Sequence, residues 1–156
     1  MISWPWVAGF LDGDGSIFVK FGKRHDVERG FSYGPCLTFA GSAEEGHRTL
    51  IALQQFLECG HLEQQATRRY PAYQLKIWKH AEMLTILESV YPHLVTKKPH
   101  ARLMISFLRS RLGKPRNEKI SSDEAELLNE LRRMTVYRAN AQRVERMLAC
   151  GHASTL

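Results

Sequence analysis

The chain has 156 residues, 44% of them hydrophobic and 24% charged, which is one domain's worth of sequence with enough apolar content for a core. Eleven Gly and six Pro exclude collagen-like and low-complexity classes, and no apolar run approaches the ~20 residues that span a bilayer. The opening residues lack the basic n-region and cleavage site of a signal peptide, so a soluble, intracellular, unsecreted protein with no membrane partner is expected.

Lysine and arginine number 22 against 16 acidic residues, a formal charge of +6. The excess sits in the middle. Residues 81–120 hold eight basic and three acidic side chains, residues 121–156 balance five against five, and residues 1–15 carry only Asp12 and Asp14. A basic centre suits a polyanion such as nucleic acid; an ordinary solvated surface is the plain alternative. Cys36, Cys59 and Cys150 are scattered, with no C-x-x-C pair, which argues against a zinc knuckle or a disulfide framework. The seven histidines lack ligand spacing such as H-E-x-x-H, and the three tryptophans read as structural.

In chain order, a helix opens at Ser3 or Trp4 with Pro5 in its first turn. Val7, Phe10 and Leu11 form its apolar side, and Gly13-Asp14-Gly15 ends it. Residues 16–21 alternate, with Ile17, Val19 and Phe21 on one face, and so read as a strand. A charged, glycine-containing loop (22–30) leads to a second strand over 33–40. Residues 44–57 form an amphipathic helix with Leu50, Leu53, Phe56 and Leu57 inward. Strands over 61–69 and 73–78 follow, joined around Tyr70-Pro71. Then come helices over 81–90 and from Pro99 through 111. A polar linker (113–121) precedes a long final helix, capped by Ser122-Asp123-Glu124-Ala125 and running to about residue 149. The domain division expected is a core over 1–112, a linker over 113–121 and a helical extension of the same domain over 122–156.

Four antiparallel strands with helices on one face define an α+β class. The uncovered face collects Phe18, Lys20, Gly22 and Arg24 from the first strand, and Cys36 and Thr38 from the second. The third adds His61, Glu63, Gln65, Thr67 and Arg69, and the fourth Gln74 and Lys76. A curved sheet bearing such side chains has the width to lie in a DNA major groove. An ordinary solvated sheet face is the alternative.

The most specific signal is Val7-Ala8-Gly9-Phe10-Leu11-Asp12-Gly13-Asp14-Gly15, followed by Ser16-Ile17. Gly9 and Gly13 are four apart and leave one helix face bare, so a second helix can approach backbone to backbone. Asp14 falls where the helix ends. Two packed copies would bring two such carboxylates together, a hard-oxygen site suited to Mg²⁺, where a divalent ion can activate water and stabilise a leaving phosphodiester oxygen.

This nonapeptide resembles the LAGLIDADG motif of homing endonucleases, with Val7 in place of the motif's Leu and Gly13 in place of its Ala. The element order is also similar to that family's αββαββα core, here with additional C-terminal helices. The resemblance is strong over 7–17 and extends in layout to about residue 111. It implies a site-specific nuclease, a hydrolase that cleaves a long, near-palindromic double-stranded DNA and acts on no small-molecule substrate. It places the metal on Asp14 and the Gly13 carbonyl, and gives Asp12 a structural hydrogen-bonding role at the helix end. Mg²⁺ is the implied cofactor; Mn²⁺ would substitute, and Ca²⁺ would support binding without cleavage. One motif in a chain of this length resembles the homodimeric branch, with Val7, Gly9, Phe10 and Gly13 at the dimer interface.

Within Leu94-Val95-Thr96-Lys97-Lys98-Pro99-His100-Ala101, Lys97 matches the family's lysine, which would orient attacking water or neutralise the scissile phosphate. Lys98 is the fallback and a phosphate contact. Together with Ser16, Phe18, Lys20, Arg24, Cys36, Thr38, Gln65, Thr67, Arg69, Gln74 and Lys76 it makes up the expected DNA-binding set. Some relatives place a glutamine and an arginine after the second strand, in an L-T-F-x-x-x-Q segment; here Leu37-Thr38-Phe39-Ala40-Gly41-Ser42-Ala43 lacks the glutamine, and His47 and Arg48 are candidates for the arginine role but fit surface helix positions better. The alternatives are an RNA-splicing maturase and a non-cleaving DNA-binding regulator on the same fold. Fourteen Arg against eight Lys lean toward a prokaryotic cytoplasm over an organelle.

Overall fold

The computed structural model describes residues 1–23, 25–26, 31–65, 71–115 and 118–134. Over them the chain forms α1 (Trp4–Asp14), β1 (Gly15–Lys23), β2 (Phe31–Ser42), α2 (Ala43–Leu57), β3 (His61–Gln64), β4 (Ala72–Ile77), α3 (His80–Val90), α4 (Lys98–Arg111) and α5 (Ser122–Met134). A single 3-10 turn, Tyr91–His93, lies between α3 and α4. The strands make one antiparallel sheet in the order β1-β2-β4-β3.

Strand alternation decides which residues meet the helices. Ile17, Leu37, Phe39, Leu75 and Ile77 point to one side and are all buried. Val7, Ala8 and Leu11 of α1, Leu50 and Leu53 of α2, Met83 and Leu87 of α3, and Met104 and Phe107 of α4 join them in one cluster. Each of these side chains larger than alanine contributes about 1.5–3 kcal/mol relative to an exposed one. Pro35 is tolerated inside β2 because β4 pairs only with Leu37–Ser42, so Pro35 faces a partner strand on one side alone.

Several expected boundaries move. α1 continues through Asp14, and Gly15 ends it in an extended conformation. There a Cβ would lie 2.4 Å from Leu11 Cδ1 and 2.8 Å from Leu11 Cα, so the strand leaves the helix through a space only glycine fits. Phe56 is not inward: it is 37% exposed and packs edge-on against Trp4, ring centroids 5.1 Å apart. α2 is drawn against the end of β2 by a backbone contact, in which a Cβ on Gly41 would meet the Gly46 carbonyl oxygen at 2.7 Å.

The cap of α5 is Ser121 rather than Ser122. Ser121 Oγ accepts from the Glu124 N–H, and the Ser121 N–H donates to Glu124 Oε2 at 2.9 Å, a reciprocal capping box. Glu124 is buried and also receives Ser110 Oγ and Lys114 Nζ, each at 3.0 Å. Buried Arg111 lies 3.5 Å away and donates to the carbonyls of Pro115 and Glu118. The 112–121 segment is thus tied down at both ends, while Ala125, Leu128 and Leu131 of α5 enter the common core. The expected continuation of this helix to residue 149, and Cys150, lie outside the described residues. Among the described residues no helix is long and apolar enough to cross a membrane.

Candidate active site

The end of α1 meets the start of α4, and the two segments hold each other. The Asp12 carboxylate accepts the Val95 N–H on Oδ2 and the Lys97 N–H on Oδ1, both at 2.7 Å. In return Lys97 Nζ donates to the carbonyls of Leu11 at 2.8 Å and Asp12 at 2.6 Å. Those carbonyls belong to the last turn of α1, where the helix carries a partial negative charge; the Leu11 carbonyl also accepts the Gly15 N–H. Burial pushes the Asp12 carboxyl up, but the backbone N–H groups of Val95, Lys97 and Thr96 and the Lys97 ammonium outweigh it and hold the carboxyl below its ordinary range.

Asp12 is therefore committed to its own chain, and Asp14 is not. Asp14 is the last residue of α1 and is exposed, two and three residues beyond the carbonyls that Lys97 caps. A helix terminus leaves its final carbonyls without helical partners, so the Gly13 carbonyl, one residue before Asp14, is an oxygen acceptor free of the helix ladder. This set suits a hard cation but falls short of a full shell. Among the described residues no group of three or more His, Cys, Asp or Glu is placed to hold a metal ion.

The exposed side of α1 carries Trp6, Gly9, Phe10 and Gly13 at helical spacing. A Cβ on Gly9 or Gly13 would meet nothing within 4 Å, so the stripe is bare within the protomer. Trp6 is 38% exposed and its ring centroid is 5.3 Å from that of Phe10, which is 5.7 Å from Phe39. Val7 does not belong to this stripe: it is 0% exposed and faces its own core, because it sits on the opposite side of the helix from Gly9. Trp6, expected as a structural residue by this helix, joins the stripe at three and seven residues from Gly9 and Gly13.

The sheet face away from the helices carries the expected alternation. Register aligns Ser16 with Thr38 and Thr38 with Lys76, and Phe18 with Cys36. Ala40 aligns with Gln74, and Gln74 with Glu63. Ser16 and Lys20 are exposed and Phe18 is half-buried, with Lys20 Nζ 6.0 Å from the Phe18 ring centroid. Thr38 and Cys36 face the right way but are only 2% and 4% exposed. Both are short side chains on β2, and at that depth neither is an accessible contact. Lys76 is paired with Glu63, and Gln65 Nε2 donates to Gln74 Oε1 at 2.9 Å. Both pairings depend on a strand register that periodicity does not encode. Lys98 Nζ lies 5.2 Å from the Tyr91 ring centroid. Arg24, Thr67 and Arg69 lie outside the described residues.

No glutamine stands at the end of β2: Ala43 occupies that place with φ 58° and opens α2. His47 stacks on Tyr73, centroids 4.1 Å apart, and exposed Arg48 pairs with Glu44.

Comparison with known proteins agrees with this layout. A family model described as LAGLIDADG endonuclease matches residues 7–107. The DNA endonuclease I-CvuI of Chlorella vulgaris is 26% identical over 108 residues, which are 69% of this chain and 65% of that protein, so the match spans just under two thirds of the relative's length. A crystal structure of I-CvuI with a DNA target and Mg, the DNA uncleaved, superposes with a TM-score of 0.75 at 22% identity, covering 96% of this chain and 94% of the other. An archaeal intron-encoded homing endonuclease complexed with DNA superposes with a TM-score of 0.77 at 15% identity, covering 96% of each chain. At these identities the two superpositions speak for the fold. The family model covers well over half of the sequence, including the α1 motif and both strand pairs: the chain belongs to the LAGLIDADG endonuclease family.

Proposed function

We propose that the protein is a homodimeric, site-specific homing endonuclease that hydrolyses phosphodiester bonds in a long, near-palindromic double-stranded DNA. The observation that carries this reading is the division of labour between the two motif aspartates. Asp12 is spent on locking α4 to α1, whereas Asp14 is exposed at the helix tip beside a bare, aromatic-edged helix face. One protomer supplies one free carboxylate and one carbonyl. Two protomers packed through Trp6, Gly9, Phe10 and Gly13 supply two of each at a single point, a donor set that fits Mg²⁺, with Mn²⁺ as substitute and Ca²⁺ supporting binding alone. A bound divalent ion would supply Lewis-acid stabilisation and water activation.

The chain's own residues do the rest. Lys97 spends two of its three N–H donors on α1 carbonyls and keeps one for attacking water or the scissile phosphate. Asp14 and Gly13 orient oxygen ligands. The uncovered sheet face, with Ser16, Phe18, Lys20, Gln65, Gln74 and Lys76, lies along the major groove, and Lys98 reaches a phosphate at its margin. The protein works where its DNA target is, in a prokaryotic cytoplasm or an organelle.

The test is incubation of the protein with a randomised duplex library in Mg²⁺ and in EDTA, with sequencing of cleaved ends and sedimentation of the free protein. A single cleaved, near-palindromic motif that requires the metal, from a dimer, supports the reading. A micromolar monomer, or binding without cleavage in Mg²⁺ and Mn²⁺, contradicts it.

A further inference from the structure

Four side chains on the uncovered sheet face are tied to one another within the protomer. Glu63 aligns with Gln74, and His61 with Lys76, across β3 and β4. The Lys76 ammonium reaches diagonally to donate to Glu63 Oε1, and Gln65 reaches Gln74 in the same sense at 2.9 Å. The Lys76 side chain is 18% exposed and that of Glu63 35%, so the carboxylate is the more open end of the pair. The ammonium's hydrogen bond is also the main cause holding the Glu63 carboxyl below its usual range.

This changes what the β3–β4 end of the sheet offers to a duplex. A lone lysine is a mobile point charge, equally able to take a phosphate or the O6 and N7 acceptors of guanine. Paired with Glu63, it brings no net charge. The carboxylate that remains can only accept. In a major groove it takes the exocyclic amine of cytosine or adenine and is repelled by guanine's acceptors. The glutamine pair spends one N–H and one carbonyl on itself. Whichever way the two amides are turned, one carbonyl and one amino group remain, the complement of adenine N6 and N7.

We propose that Glu63 is a specificity-determining residue: by engaging Lys76 it makes the β3–β4 end of the sheet a charge-neutral acceptor that favours cytosine or adenine and rejects guanine at the base pair beneath it. The inference rests on the reading that this face lies in the groove. The other end of the sheet, with exposed Lys20, keeps the electrostatic attraction.

The experiment compares native protein, Glu63→Gln and Glu63→Gln/Lys76→Gln in Ca²⁺. Each is titrated with salt on alternating poly(dA-dT) duplex and put through selection on a randomised duplex library. Releasing Lys76 to the phosphates should steepen the salt slope of Glu63→Gln by roughly 0.9 per protomer, and the double variant should return to the native slope. The selected site of Glu63→Gln should admit guanine at one position per half-site, the others unchanged. Glu63→Thr, which also removes the carboxylate and suits a strand, should behave as Glu63→Gln and serves if that variant does not fold. Equal slopes and identical selected sites for native and Glu63→Gln overturn this inference alone, as does a double variant flatter than native. A native protein that binds no duplex overturns the functional reading and this one with it.

Discussion

Removing the Asp12 carboxylate should loosen the joint between α1 and α4 without touching the core. In Asp12→Ala, the Val95 and Lys97 N–H groups each lose a charge-assisted bond of 2.7 Å. A hydrogen bond to a charged group contributes about 1.5–3 kcal/mol. The Val95 bond is exposed, so water replaces most of it; the Lys97 bond is half-buried and is the larger loss. The sum is about 2 kcal/mol, at the upper end of what a helix N-cap contributes. Lys97→Met removes the two bonds to the Leu11 and Asp12 carbonyls and a cation at a helix C-terminus, about 0.3–1 kcal/mol. The two residues share one joint, so their effects should fail to add by about 0.5 kcal/mol or more. Urea unfolding at pH 7 of native, both single variants and the double variant measures all three quantities. A cost for Asp12→Ala under about 0.5 kcal/mol, or strict additivity, would refute the mutual lock.

Three further outcomes follow from the packing. Gly15→Ala should destabilise by about 1–3 kcal/mol in the same assay, because its Cβ would meet Leu11 at 2.4 Å. Gly9→Leu, with open space around it, should leave the protomer folded but remove the concentration dependence of its urea midpoint, while sedimentation turns from dimer to monomer. Glu124→Gln should cost about 3 kcal/mol at pH 7, since it breaks a buried pair. Burial alone would raise that carboxyl, but the Ser121 N–H, Lys114, Ser110 and Arg111 together lower it. A lowered folded value means stability that is present above the unfolded value of ~4.3 and lost as pH falls through the folded one. The gap between native and Glu124→Gln in urea midpoint should therefore begin to narrow as pH falls below ~4.3 and close only once the folded carboxyl is protonated.

Much of this architecture is legible in the chain because periodicity reports faces. The alternation over 16–21 placed Ile17 inward and Phe18 and Lys20 outward, and the helical spacing over 44–57 found Leu50 and Leu53. The glycine-aspartate run marked both the bare stripe and the helix tip. Periodicity does not report register or depth. Thr38 and Cys36 share a face with Lys20 but are buried, and the Glu63–Lys76 pair exists only because the β3–β4 register sets them diagonal. Phe56 has the spacing of a core residue, yet it lies at the edge where α2 meets Trp4. The loss of the expected glutamine was visible at Ala43. The mutual lock of Asp12 and Lys97 is half legible: the motif gives Asp12 a structural role, but its partners Val95 and Lys97 lie 83 and 85 residues away.

The central claim is that the exposed acid at the tip of α1 is the metal-binding, cleaving group, while recognition belongs to the sheet. Asp14→Asn keeps the side chain's shape and removes the anionic oxygen a hard cation requires, twice in a dimer. It changes nothing on the face that carries Lys20, Gln74 and Lys76. The decisive measurement is cleavage of the selected duplex in Mg²⁺ beside its binding in Ca²⁺, for native and Asp14→Asn protein. Strand cleavage abolished with specific binding retained, or slightly tightened by the loss of two charges near the phosphates, is the predicted result. Cutting by Asp14→Asn at a rate comparable to native would contradict it.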